Sequence, residues 1–203
     1  MNPPIVYAVG IGPGSPELLT PQARQVLESC TVVAGYKLYL DLIAPLVAGK
    51  KLIAGAMRGE LDRCRRALDA ALEGERVAVI GSGDAGIYGM AGLLYELTEL
   101  DRYRHIAIEV EPGITAAVAA AALAGAPLMN DFAVLSLSDL MTPREVILNR
   151  LEKVAAADLV TVLYNPASTR RRELPERAVE IFRSHGGNLP AALVRDAYRD
   201  GQS

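Results

Sequence analysis

Short apolar runs alternate with longer amphipathic segments along the chain, and this alternation predicts an α/β protein. The run at 77–80 is typical of a buried strand, whereas 60–72 repeats its apolar residues at helical spacing. The predicted strands are 5–9, 31–34, 51–53, 77–80, 106–110, 132–137, 159–164 and 190–195. The predicted helices are 20–29, 37–46, 60–72, 88–99, 115–126, 142–156 and 175–185, with Thr20 and Thr142 as caps before a proline. Such alternation implies crossover connections and a mostly parallel sheet.

The pattern restarts at Glu111-Pro-Gly113, which predicts two α/β domains. We expect an N-terminal domain at 1–111 and a C-terminal domain at 112–203. A cleft between two domains is a common place for a ligand. The second stretch of about 90 residues is short for a sheet covered by helices, so we expect this C-terminal domain to be incomplete.

Composition narrows the class of function. The chain has 203 residues, of which 51% are hydrophobic, and its 21 basic and 24 acidic side chains give a net charge of −3. A general nucleic-acid-binding protein has a clear basic excess, so no nucleic-acid partner is expected. Two cysteines without CxxC spacing favour a reduced, cytoplasmic setting and no metal site. The Ala-rich run 115–126 is too short to cross a bilayer, so no membrane partner is expected either.

Glycine-rich turns follow two predicted strands and carry the candidate chemistry. One is Gly10-Ile-Gly-Pro-Gly14, and the other extends from Gly81 to Gly92. Ligands of open α/β sheets bind beyond the carboxyl ends of the strands, where glycine lets backbone approach them closely. Ser15 stands where a dinucleotide fingerprint requires glycine, and no phosphate-binding P-loop occurs. The turns therefore favour a compact, nearly neutral ligand, with tight turns and close helix packing as the structural alternative.

Three ordered motifs resemble the signatures of the tetrapyrrole (corrin and porphyrin) methylases. The N-terminal motif is Val9-Gly-Ile-Gly-Pro-Gly-Ser-Pro-Glu-Leu-Leu-Thr20, the second is Gly81-Ser-Gly-Asp-Ala-Gly-Ile-Tyr-Gly89, and the third is Glu111-Pro-Gly-Ile-Thr-Ala116. Four more stretches are most similar to the branch of the family that methylates C17 of a corrin precursor; they are 35–39, 55–58, 132–143 and 163–168. One departure is Ala85, because the family usually has proline there.

The resemblance implies two α/β domains with S-adenosylmethionine between them, and a homodimer. Carried onto this sequence, the implied cofactor-binding residues are Pro13, Ser82, Gly83, Asp84, Ile87, Thr115, Ala116, Asn165 and Ala197. We expect exposed N–H groups of the glycine turn to donate to the cofactor. The Asp84 carboxylate is expected either to face the cofactor's positive charge or to cap the next helix.

The implied activity is methylation of precorrin-3B or cobalt-factor III at C17 with ring contraction, in cobalamin biosynthesis. Methyl transfer needs alignment rather than a strong nucleophile, but ring contraction needs an acid or base. The candidates for that catalytic role are Asp84, Tyr88 and Tyr164, with Asp139 as a further one. A tetrapyrrole substrate carries many carboxylates, which favours arginine contacts.

The expected substrate-binding residues are Arg58, Gly12 and Asp139. The wider set of candidate arginines is Arg63, Arg66, Arg144 and Arg170 to Arg172. Two alternatives stay open at this point. One is another methylase of the same fold, such as a C11 enzyme, and the other is a shortened module that binds the cofactor without turnover.

Overall fold

A computed structural model describes residues 3–56, 59–166, 173–187 and 189–203. Backbone contacts divide the chain into unit 1, which is Met1–Ala119 with Arg195–Ser203, and unit 2, which is Ala120–Val194. This division differs from the expected one at 111/112 because the Glu111-Pro-Gly113 turn packs on the glycine turns of unit 1. The segment 195–203 also belongs to unit 1 rather than to the second domain.

Unit 1 contains a five-stranded sheet in which every pairing is parallel, as the sequence predicts. Its strands are β1 (Ile5–Gly10), β2 (Val32–Tyr36), β3 (Lys51–Gly55), β4 (Val77–Gly81) and β5 (Ala107–Glu111). Their order across the sheet is β3-β2-β4-β1-β5. Because β4, β1 and β5 are neighbours and parallel, the three turns that follow them meet at one edge.

Helices cover both faces of this sheet. They are α1 (Pro21–Ser29), α2 (Lys37–Leu42), α3 (Ala44–Val47), α4 (Glu60–Leu72), α5 (Ala91–Thr98) and α6 (Ala116–Leu123), the last of which ends in unit 2. Thr20 caps α1 as predicted, since its hydroxyl accepts from the Ala23 N–H at 3.1 Å. The predicted helix 37–46 is two short helices, separated at Ile43. The predicted helix 88–99 begins only at Ala91, whose N–H bonds the Ala85 carbonyl and so closes the glycine turn first.

Alternate residues of the central strands enter two separate apolar clusters. Val77 and Val79 pack with α4 and α5 on one face, whereas Ala78 and Ile80 pack with α1 and α2 on the other. All four residues are at most 2% exposed. A strand buried on both faces needs a continuous apolar run, which explains the sequence of β4. Because β4 is packed on both faces, the glycine turn that follows it begins from a fixed position.

Besides the end of α6, the described part of unit 2 contains two parallel strands and two helices that pack together. These are β6 (Phe132–Ser136), β7 (Val160–Tyr164), α7 (Arg144–Ala156) and α8 (Glu173–Gly186). The cap predicted at Thr142 is wrong, because α7 has Pro143 at its N-cap, with no side-chain hydrogen bond. The predicted strand 190–195 is also wrong: within 189–203 the structure has turns and coil, and Arg195 pairs with Ser203 through backbone hydrogen bonds.

Both cysteines are free thiols in the interior of unit 1. Burial raises the pKa of the Cys64 thiol to about 11 and also raises that of Cys30. At neutral pH both are therefore protonated and behave as small apolar side chains. Cys64 packs in the cluster beneath α4, and Cys30 lies at the end of α1.

Candidate cofactor-binding site

The first two glycine turns are hydrogen-bonded to each other. The Gly12 N–H donates to the Gly83 carbonyl at 3.0 Å, and the Gly83 N–H donates to the Gly12 carbonyl at 2.8 Å. Both residues have a left-handed backbone, with φ of +74° and +73°, which a side chain would strain. These two N–H groups are therefore occupied within the protein, so the expected donation to the cofactor stays a prediction for other N–H groups of the turn.

The third turn packs on the first two, backbone against backbone. A Cβ on Gly113 would collide with the Gly83 carbonyl oxygen and lie 2.7 Å from that of Gly10. A Cβ on Gly83 would lie 3.5 Å from the Thr115 Cα and the Ala116 nitrogen. The structure thus brings together the residues of all three sequence motifs at the carboxyl edge of the sheet.

The Asp84 carboxylate joins the second turn to the third. Its Oδ1 accepts from the N–H groups of Gly86 at 2.8 Å and Ile87 at 3.1 Å. Its Oδ2 accepts from the Gly113 N–H at 2.9 Å. Both oxygens are thus engaged by backbone donors, an arrangement that fixes the turns in place. The helix cap predicted at Asp84 is wrong, because the next helix, α5, has Met90 at its N-cap. The carboxylate instead holds the turns together, and its contact with the cofactor stays a prediction.

Arg199 is a residue of this region that sequence reasoning did not select. Its Nε donates to the Pro13 carbonyl, and its Nη2 donates to the Ser82 hydroxyl at 2.6 Å. Both acceptors belong to expected cofactor-binding residues, and Ala197 lies two positions before Arg199 in the same segment. No local signal marks this arginine, because its partners stand more than a hundred positions away in the chain.

Beside these contacts, the second turn has unfilled space and exposed apolar surface. Gly81 is buried, yet among the described residues nothing lies within 4 Å of the point where its Cβ would stand. The Ile87 side chain is 41% exposed, and Tyr88 is 54% exposed with φ of +52°. Room beside a backbone segment and exposed apolar side chains together suit a flat organic group.

Three further expected site residues, Tyr164, Asn165 and Asp139, belong to unit 2. The Tyr164 carbonyl accepts from the Leu137 N–H at 2.9 Å, so the ends of β6 and β7 stay paired. Asn165 has φ of +52°, and its Nδ2 donates to the Ser136 hydroxyl at 3.1 Å. Asp139 is exposed in the segment that follows β6. Within unit 2 the structure therefore gathers these three residues at the carboxyl ends of its strands.

The candidate arginines differ in their surroundings. Arg58 and Arg170 to Arg172 lie outside the described residues. Arg144 pairs with Glu173 at 2.8 Å, and Arg66 pairs with Asp62 at 3.8 Å, both at exposed positions. Arg63 is buried and donates to the Ala56 carbonyl at 3.3 Å. These contacts favour structural roles for Arg66 and Arg144, since exposed ion pairs are the usual surroundings of arginine.

Neither a cluster of metal ligands nor a helix of membrane-spanning length and apolarity occurs among the described residues. No group of three or more His, Cys, Asp or Glu side chains is arranged to hold a metal ion in this part of the chain. None of the helices between residues 3 and 203, as far as the structure describes them, is long and apolar enough to cross a bilayer.

Curated proteins with similar sequences come from cobalamin biosynthesis. The chain is 43% identical over 197 residues to "Cobalamin biosynthesis protein CbiHC" of Archaeoglobus fulgidus, covering 97% of this chain and 44% of that protein. It is 42% identical over 196 residues to "Probable cobalt-factor III C(17)-methyltransferase" of Salmonella typhimurium, covering 96% of this chain and 81% of that protein. The chain thus spans less than half of the first relative and about four fifths of the second.

Solved structures and a family model agree with these relatives. The methyltransferase CobJ superposes with a TM-score of 0.88 at 38% identity, over 98% of this chain and 83% of that one. A uroporphyrin-III C-methyltransferase from Thermus thermophilus, complexed with S-adenosylhomocysteine, superposes with a TM-score of 0.71 at 26% identity. This match covers 98% of this chain and 85% of that one. A family model described as Tetrapyrrole (Corrin/Porphyrin) Methylases matches residues 5–203. The chain therefore belongs to the tetrapyrrole methylase family.

Proposed function

We propose that this protein is an S-adenosylmethionine-dependent methyltransferase that methylates C17 of a corrin precursor and contracts the macrocycle. The observation that carries the proposal is the 42% identity to the Salmonella protein named as a cobalt-factor III C17-methyltransferase, over 81% of that protein's length. The 38% identity to CobJ, with a TM-score of 0.88, supports the same branch of the family.

S-adenosylmethionine is the proposed cofactor, and the contacts in unit 1 fit it. Open space at Gly81 and exposed Ile87 suit the adenosine part, while Ser82 and Arg199 offer hydrogen-bond donors to the amino-acid part. When bound, the cofactor supplies an activated methyl group. Pro13, Gly83, Thr115, Ala116 and Ala197 complete the proposed contacts in this unit, and Asn165 is the proposed contact from unit 2.

The proposed chemistry divides into methyl transfer and ring contraction. Transfer is an in-line displacement, for which the turns hold the donor in one orientation and exclude water. Ring contraction requires a proton donor or acceptor, and Asp84, Tyr88 and Tyr164 are the residues proposed for this role. Arg58 is proposed to bind a carboxylate of the substrate, with Gly12 and Asp139 as further substrate contacts.

Turnover with both substrate forms tests the function. Under anaerobic conditions with S-adenosylmethionine, we expect precorrin-3B or cobalt-factor III to gain the mass of one methyl group, and NMR to place that methyl at C17. Calorimetry with S-adenosylhomocysteine checks cofactor binding independently. Binding without turnover contradicts the proposal in favour of a cofactor-binding module, and methylation at C11 contradicts it in favour of another enzyme of the family.

We also propose that the protein is a cytoplasmic homodimer. The family resemblance supports the dimer, and two buried, protonated cysteines are compatible with a reducing compartment. Light scattering on the purified chain is expected to give about twice the monomer mass of 21.6 kDa. A mass equal to one chain at micromolar concentration contradicts the dimer.

A further inference from the structure

The Arg199 side chain contacts the first and the second glycine turn of unit 1. It is bound at Nε by the Pro13 carbonyl and at Nη2 by the Ser82 hydroxyl. It also covers Gly14, where a Cβ would collide with the Arg199 side chain. Two neutral acceptors on different turns therefore hold this guanidinium in one orientation.

No carboxylate in the described part of the chain matches the positive charge of Arg199. Among the residues that the structure describes, no Asp or Glu oxygen lies within ion-pair distance of it. Asp84, the acid of the second turn, accepts backbone bonds at both of its oxygens. A guanidinium has five N–H donors, so the two protein acceptors leave donors available.

We propose that Arg199 binds the α-carboxylate of the amino-acid part of S-adenosylmethionine, an inference that rests on the proposed function. Arginine matches a carboxylate with two parallel hydrogen bonds, and a guanidinium that is already oriented loses little freedom on binding. The ammonium and sulfonium groups of the cofactor repel a guanidinium, so the carboxylate is the only charged part that it attracts. The family resemblance implied cofactor contacts at Pro13, Ser82 and Ala197 without reference to Arg199.

Two ligands that differ only in the amino-acid part test this assignment. S-adenosylhomocysteine contains the carboxylate, whereas 5′-methylthioadenosine lacks it and keeps the adenosine and thioether. By calorimetry, Arg199→Gln is expected to weaken binding of S-adenosylhomocysteine by about 10- to 100-fold. Its affinity for 5′-methylthioadenosine is expected to equal that of the wild type. Arg195→Gln is the matched control, because Arg195 is an exposed arginine of the same segment, and it is expected to bind both ligands as the wild type does.

Other results overturn the assignment in distinct ways. Equal weakening of both ligands makes Arg199 a support for the turns, and tighter binding of both makes it an occupant of the cofactor's space. Unchanged affinity for both, with a raised KM for the tetrapyrrole, assigns its charge to a substrate carboxylate instead. Circular dichroism of each variant checks folding, and Arg199→Lys, which keeps the charge, is expected to lose less affinity than Arg199→Gln. If the wild type does not bind S-adenosylhomocysteine, the proposed function fails, whereas wild-type binding with an unaffected Arg199→Gln variant removes only this inference.

Discussion

Replacing Gly10 with alanine is expected to lower the free energy of unfolding by about 3 kcal/mol. A Cβ at this position would lie 2.6 Å from the Gly83 carbonyl oxygen and 2.8 Å from the Gly113 nitrogen. Both neighbours are backbone atoms of turns that are themselves hydrogen-bonded, so neither moves without breaking the contacts between the three turns. Urea unfolding followed by circular dichroism measures the change, since the chain has no tryptophan.

Gly81→Ala provides a matched control for this substitution. Gly10 and Gly81 are register partners at the ends of β1 and β4, so they share a backbone environment. No described atom lies within 4 Å of the Cβ position of Gly81. Gly81→Ala is therefore expected to change the free energy of unfolding of the protein by less than about 1 kcal/mol. Equal losses for the two variants would show that strand-end backbone, rather than contact between the turns, explains the requirement for glycine at Gly10.

Much of the fold was predictable because its signals are local. Apolar runs such as 77–80 predicted the strands, and strands alternating with helices predicted the parallel sheet, which is confirmed. The family resemblance is confirmed as well. The order β4-β1-β5 at the centre and edge of the sheet then explains why three motifs that are far apart in sequence meet at one place.

The features that sequence reasoning missed depend on partners that are distant in sequence. Arg199 gains its place from Pro13 and Ser82, and nothing in its neighbouring residues indicates this contact. The glycine turns were expected to offer N–H groups to a ligand, but Gly12 and Gly83 use theirs on each other. The apolar residues of 190–195 suggested a strand, although an apolar run forms one only where another strand pairs with it.

Asp84→Ala is expected to lower the free energy of unfolding by about 3 kcal/mol, because three backbone N–H groups lose a charged acceptor. Asp84→Asn keeps one side-chain oxygen, which can still accept from the N–H groups of Gly86 and Ile87. Its amide NH2 group replaces the other oxygen and cannot accept from the Gly113 N–H, so that hydrogen bond is lost. We therefore expect an intermediate loss, again measured by urea unfolding. Asp62→Ala is the control, since its exposed pair with Arg66 at 3.8 Å contributes less than about 1 kcal/mol.

Asp84→Asn also separates two roles for this carboxylate, which are holding the turns together and facing the cofactor's positive charge. S-adenosylmethionine has a positive sulfonium, whereas S-adenosylhomocysteine has a neutral thioether at the same place. If Asp84 acts only by holding the turns, Asp84→Asn weakens both ligands by the same factor, and this is the result we expect, because both carboxylate oxygens already accept backbone bonds. A larger loss for the sulfonium compound would instead show that the carboxylate charge acts directly on the methyl donor.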